Sequence, residues 1–432
     1  MILPILNIFI MLVNNMFKSS IIGFFLLSSL IFGGANMIIL QGATAQNYYN
    51  NDRDYGDSNS GYKDNSYYYN NNYYPPKDSD NNKKYVCKDG PFEGLLTSSL
   101  EFCKPDITVP THFPTIQAAI NASSSGDTIK ILPGTYTEQI TISKNLTIIG
   151  SGAKSTIIES PPVEELEPNV IGLPYIVEVN NGAEVTMKGF TIKGPQGTNC
   201  DELIGVSVLE NATINLNHSI IKGCTQNGIA IGFEGTGHAT ITKTFITDYR
   251  EHGVFAFGPG TTLTMSYNKV VGSAPDALAI IGILFVAGAT ATITHNEVSE
   301  NICNIPDICG PDWFTQFQAF GIAGDAVEGT IISNNYVSNN DAGIGMGVGT
   351  SGCCIFENNK LKDNRFFGIT IVDGEFTVSN TKIFGGNVGV AAIAITANTV
   401  AILDNVKIIG ATTPVQELPS GGFTAEVVFL PN

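Results

Sequence analysis

Positive charge is scarce in this chain. Its 432 residues carry 22 Lys and Arg against 39 Asp and Glu, a formal net charge of -17. Only Arg53, Arg250 and Arg365 are arginines. Such a balance repels a nucleic-acid duplex or an anionic membrane surface, which removes both from the partner classes. Charge of either sign is thin, at 14% of residues, while 43% are hydrophobic. That mix suits stacked strands with little exposed helix. There is one Trp and there are five His. No CxxC pair occurs among the eight cysteines, which argues against a thiolate metal site. The acidity admits calcium as a bound cation but calls for no cofactor.

The first segment, 1–45, reads as an export signal. Lys18 is its one charged residue, an apolar run follows from Ile21 to Phe32, and Ala43-Thr44-Ala45 offers a small-x-small cleavage site before Gln46. An uncleaved anchor over Ile21–Leu40 is the competing reading. Both place the remainder outside the cytoplasm, secreted or at the cell surface. Residues 46–85 are rich in Asn, Tyr, Asp and Ser and have almost no aliphatic side chains, so they are expected as a disordered linker. Residues 86–113 form a Cys-containing transition segment. The cysteines suit an oxidising compartment. Cys87 with Cys103, Cys200 with Cys224, and Cys303 with Cys309 are the candidate disulfides. Adjacent Cys353 and Cys354 form a strained vicinal bridge or stay reduced.

From 114 onward a repeat sets the fold. Gly followed by Ile or Val recurs at Gly205, Gly228, Gly253, Gly282, Gly321, Gly343, Gly368 and Gly389. A near-constant period of this length is what one coil of a solenoid requires. Asn recurs in step at Asn217, Asn268, Asn296, Asn335, Asn359, Asn380 and Asn405. Asn tolerates turn conformations, and stacked amides can bond from coil to coil. Short β-branched runs such as Thr128–Leu132 and Leu146–Ile149 supply the strands. Pro114-Thr115-Ile116-Gln117-Ala118-Ala119-Ile120 reads as a short amphipathic helix capping the open end. The expected fold is all-β, a right-handed single-stranded parallel β-helix of about ten coils over 114–432, monomeric, with a short N-terminal capping helix. The long step between Gly282 and Gly321 marks an insertion, Asn301–Ala319, and solenoid insertions emerge on one face.

The stretch PTIQAAINASSSGDTIKILPGTYTEQITISKNLTIIG resembles the opening of pectin-methylesterase-like proteins in the pectate-lyase-like superfamily. Gly134-x-Tyr136-x-Glu138 carries much of the match. The later Asn and Gly-Ile repeats look like the NosD-type and carbohydrate-binding sugar-hydrolase repeats. The resemblance covers roughly Ile107 to Asn432 and implies the fold firmly. Its host superfamily runs from hydrolases to adhesins, so activity does not follow. The esterase carboxylate motifs and the paired Asp of polygalacturonases have no counterpart, leaving Gly134, Tyr136 and Glu138 a turn and capping role.

The densest polar cluster is Asp248-Tyr249-Arg250-Glu251-His252. With Asp276 from the next coil it suggests a lyase or epimerase site: Arg250 or His252 as base, Tyr249 as acid, and Asp248 or Asp276 holding cation or substrate. The preferred reading is that these are solvated turn residues, with Asp248 and Arg250 making an ordinary surface ion pair. Trp313, Phe314 and Phe317 in the insertion are candidates for stacking on sugar rings, or for pinning the loop to the wall. Isolated His218, His238 and His295 read as structural. The leading expectation is an extracytoplasmic polysaccharide- or glycan-binding protein. A polysaccharide lyase, epimerase or glycoside hydrolase, and a structural spacer or adhesin, are the alternatives.

Overall fold

The computed structural model describes residues 85–86, 96–97, 107–195, 203–223, 225–233, 235–272, 280–306, 308–349 and 353–431. The expected leader and most of the linker lie outside these, as do Cys87, Cys103, Cys200, Cys224 and Asp276. Contacts divide the chain into two units, one of them Gly33–Pro105. The described part of that unit is a two-stranded antiparallel pair, Tyr85–Val86 against Leu96–Thr97.

The other unit holds a parallel β-helix. A coil presents up to three strands in order, which we assign to sheets A, B and C; in one coil a single strand, Phe367–Ser379, runs unbroken through A and B. One coil, for example, runs Ile204–Val208 in A, Ala212–Asn217 in B and Ile220–Lys222 in C. Every strand pairs in parallel with its equivalents in the neighbouring coils. Among the described residues sheet C alone has 11 strands. Alternation explains the sheets: Thr290-Ala291-Thr292-Ile293-Thr294 puts Ala291 and Ile293 inward and its threonines outward. From Thr191–Lys193 onward the sheet C strands are reduced to three residues, as in Lys360-Leu361-Lys362 with Leu361 inward.

The glycine repeat is a contact column. A Cβ placed on Gly205, Gly228, Gly253, Gly282, Gly343 or Gly368 would lie 2.5–2.6 Å from the carbonyl oxygen of the next glycine in the series. The backbone of successive coils approaches too closely there for any side chain.

The corner between sheets B and C is turned by one left-handed residue per coil. His218, Lys243, Tyr267, His295, Asn334, Asn358, Asn380 and Asn405 hold φ of 48 to 59°. After Tyr267, His295, Asn334 and Asn358 the next residue is a buried asparagine, and these four form a ladder. Asn268 Nδ2 donates to Asn296 Oδ1 at 2.9 Å, Asn296 to Asn335 at 3.1 Å, and Asn335 to Asn359 at 3.1 Å. Asn217, Asn380 and Asn405 are outside this ladder: Asn217 ends a sheet B strand, and the other two occupy the corner position itself.

A second ladder lies at the corner from sheet C to sheet A. Tyr249 Oη donates to Asn301 Oδ1 at 2.6 Å, Asn301 to Asn340 at 2.8 Å, and Asn340 to Asn364 at 3.0 Å.

Helix α1, Ile116–Ala122, buries Ile116, Ala119 and Ile120. Thr115 caps it, and both Glu138 carboxylate oxygens accept from its first amides, Ile116 N at 2.9 Å and Gln117 N at 3.0 Å. Tyr136 Oη donates to Leu132 O at 2.9 Å, fixing the adjoining turn. The turn and cap role of this motif is therefore visible in its bonds.

Candidate functional site

The polar cluster at 248–252 is distributed by strand geometry. Asp248 takes the left-handed corner position, φ 61°, and is exposed. Tyr249 is fully buried with its hydroxyl committed to Asn301, and burial raises its pKa. Arg250 is half-buried and Glu251 exposed, at a register shift that separates Tyr249 from His252. His252 Nδ1 lies 2.8 Å from Asn227 Oδ1, and its ring centroid is 4.7 Å from that of Phe255. Desolvation carries the His252 pKa down to about 3, so its imidazole is neutral at physiological pH. A buried phenol and a weakly basic imidazole do not make an acid–base pair facing a common substrate.

The insertion is clamped to the solenoid at both roots. Asp341 Oδ2 accepts from Cys303 N at 2.9 Å and from Ala319 N at 3.1 Å. Arg365 pairs with Asp341 Oδ1 at 2.7 Å and donates to Cys303 O at 2.8 Å. Cys303 and Cys309 are joined, as are Cys353 and Cys354. Trp313 is half-buried, edge-on to Phe320 at 6.1 Å and to Phe367 at 5.8 Å between ring centroids. Phe317 packs against the core and Phe314 is exposed. Trp313 and Phe317 thus pin the loop to the wall.

The B–C corner presents a different surface, which includes His295, and Asn380 and Asn405 from the sequence repeat, together with Tyr267, Asn334 and Asn358. Tyr267, His295, Asn334, Asn358, Asn380 and Asn405 stand in successive coils at one position, all exposed. They make a ridge parallel to the solenoid axis, one side chain per coil, about 4.8 Å apart. Asn suits the left-handed conformation; a tyrosine there is conformationally costly. Tyr267 nevertheless holds φ 58° and is 61% exposed, its ring stacked on His295 at 5.0 Å and 24° between planes. Core packing does not explain an aromatic pair held outside the core in a strained corner. Asn405 Nδ2 donates to Asn380 Oδ1 at 2.8 Å, bridging two coils along the ridge, and Asn334 Nδ2 donates to Ser333 Oγ at 3.2 Å within its own coil. The signal in the sequence was the residue immediately before each ladder position: Tyr267-Asn268, His295-Asn296, Asn334-Asn335, Asn358-Asn359.

Among the described residues no group of three or more His, Cys, Asp or Glu side chains is placed to hold a metal ion. No described helix is long and apolar enough to cross a membrane.

Residues 230–408 match a family model described as "Right handed beta helix region". With the parallel coil pairing this makes the chain a right-handed parallel β-helix, the fold the repeat predicted. No curated protein matches it in sequence. Among solved structures it is similar to the catalytic unit of a GH87 alpha-1,3-glucanase from Streptomyces thermodiastaticus strain HF3-3. That pair shares 16% identity and a TM-score of 0.44 over 75% of this chain and 68% of the other. An alginate lyase from Paenibacillus sp. str. FPU-7 gives 12% and 0.39 over 70% and 94%. A pectin methylesterase variant in complex with a hexasaccharide gives 12% and 0.33 over 58% and 75%. At these identities the likeness is one of coil architecture and says nothing about activity.

Proposed function

We propose that this protein is exported and binds polysaccharide along the B–C corner ridge, with Tyr267 and His295 as an aromatic anchor and the asparagine amides as hydroxyl partners. The observation that carries this is the stacked Tyr267–His295 pair, exposed at a corner where an aromatic strains the backbone. An aromatic face beside amide donors and acceptors is the chemistry that grips a sugar ring. The ridge repeats once per coil, which suits a polymer better than a single small molecule. Export is supported by the apolar leader with its small-x-small site. The bonded pairs Cys303–Cys309 and Cys353–Cys354 fit an oxidising compartment.

Binding is proposed ahead of turnover because the densest acid–base cluster is split between core, corner and a neutral imidazole. The test is affinity electrophoresis of the full chain against acidic and neutral polysaccharides. Tyr267→Ala is expected to weaken binding about fivefold, the worth of one aromatic contact. No retardation by any polysaccharide, or wild-type retardation of the variant, would overturn the proposal.

A further inference from the structure

The triplet Asn-x-Ser/Thr, with no proline in the middle, begins at Asn121, Asn145, Asn211 and Asn217. It is the acceptor signal for N-linked glycan in exported proteins, but a chain rich in asparagine also contains it by chance. The structure sorts the four by the state of the two groups the signal consists of, the asparagine amide and the hydroxyl two residues on.

In two triplets the hydroxyl is committed. Ser123 is 5% exposed, and its Oγ donates to Ala119 O at 2.6 Å. Ser219 is 2% exposed, and its Oγ donates to Asn217 O at 3.0 Å. Asn121 lies inside helix α1, and Asn217 is half-buried at the end of its sheet B strand. These two triplets are used up in local packing.

Asn145 and Asn211 differ from them, and both differ in the same way. Each is exposed and immediately precedes a sheet B strand, Leu146–Gly150 or Ala212–Asn217. Both therefore stand at the corner between sheets A and B, two coils apart, which is about 10 Å. Each side-chain oxygen is held by the next coil: Glu184 N donates to Asn145 Oδ1 at 2.9 Å, and Thr236 Oγ1 to Asn211 Oδ1 at 2.6 Å. Among the described residues neither Nδ2 has a hydrogen-bond partner. Strand alternation sends Leu146 and Ala212 into the core and turns Thr147 and Thr213 to the outer face, where their hydroxyls are uncommitted among the described residues. The neighbouring coil thus fixes each amide by its oxygen and leaves its nitrogen and the required hydroxyl accessible.

We propose that Asn145 and Asn211 carry N-linked glycans and that Asn121 and Asn217 do not. The donor is an oligosaccharide carried on a polyprenyl phosphate, outside the cytoplasm. A bond forms between Nδ2 and C1 of the first sugar, and the bond from C1 to the phosphate oxygen breaks. Nδ2 gives up one proton, and the polyprenyl phosphate leaves as an anion. The product is still an amide, so Oδ1 keeps its bond to the next coil. The width of sheet B separates this corner from the ridge, which the glycans leave clear. The inference rests on the export part of the proposed function and not on the ridge.

The experiment produces the full chain in its source organism, collects cytoplasm and cell exterior separately, and reads intact mass and glycopeptides. The chain from the exterior is expected to exceed its polypeptide mass by two glycans. Asn145→Gln and Asn211→Gln should each remove one, and Thr147→Ala and Thr213→Ala should do the same. Thr147→Ser, which keeps the hydroxyl, should retain the glycan at Asn145, and Asn217→Gln should leave the mass of glycan unchanged. A chain found outside the cell at its bare polypeptide mass would overturn the inference while export stands. Glycan surviving in the Asn145→Gln/Asn211→Gln double variant would overturn it too, because the state of the hydroxyl would then select nothing. A bare chain found only in the cytoplasm would remove both the glycans and the export reading.

Discussion

Asp325 shows what a single outward carboxylate undergoes on this wall. It is 7% exposed and accepts one bond, from Ala287 N at 2.8 Å. Burial outweighs that bond and pushes its pKa up to about 6. The folded chain then holds a proton that the unfolded chain releases near pH 4. Stability is full below that point and declines as pH rises through about 6. The expected size is about 3 kcal/mol. Asp325→Asn keeps an acceptor for Ala287 and removes the proton. Its thermal midpoint should show a smaller fall between pH 4 and pH 7 than the wild type, and identical profiles would refute the assignment. No pattern in the sequence announces this residue. Its environment depends on which face of Phe320–Asp325 it occupies and what covers that face.

At the level of the element, the B–C corner separates two asparagine positions that look alike in sequence. Asn335 is 1% exposed and bonds the coils on both sides of it, whereas Asn380 is exposed at the corner. Removing a buried amide strands the groups it served, at about 2–3 kcal/mol. Asn335→Ala should therefore lower stability by about that much in urea titration, while Asn380→Gly, which keeps the left-handed corner at φ 49°, stays within about 0.5 kcal/mol. Comparable losses in the two variants would mean that the inward and corner positions are energetically equivalent. The period of the asparagines was legible, but not their offset by one residue, because Asn-Asn pairs such as Asn334-Asn335 satisfy either placement. The second ladder was hidden for a different reason. The insertion lengthens the step from Asn301 to Asn340, and the head of the ladder is a tyrosine, Tyr249, which read as a catalytic acid. Of the corner residues, His295 read as an isolated structural histidine, and Tyr267 gave no signal until the coils brought the two rings face to face.

For the whole molecule, the fold was legible because one steric demand recurs at every coil. The glycine column leaves its mark in sequence wherever backbone meets backbone, and insertions change its spacing without changing its identity. The corner ridge leaves a fainter mark, since it is assembled from one side chain per coil and its residue type varies from Tyr267 and His295 to asparagine. A stack of this kind couples each coil only to its neighbours, so its stability is close to a sum of local terms. Gly253 lies in the interior of that stack. A Cβ there would come within 2.5 Å of Gly282 O, 2.8 Å of Val270 Cγ1 and 3.0 Å of Tyr249 Cε1. Two of these atoms belong to the packed wall and core, and one is backbone of the next coil, so none can yield cheaply. Gly253→Ala should therefore part the solenoid at this level while leaving the coils on either side folded. Hydrogen exchange is the direct measurement: protection should collapse over Tyr249–Phe257 and Ile281–Val286 and persist over Leu146–Gly150. Equal loss along the entire chain would show that the coils unfold as one body. Unchanged protection at Tyr249–Phe257 would show that the glycine column tolerates a side chain, and the steric reading of the repeat would be lost with it.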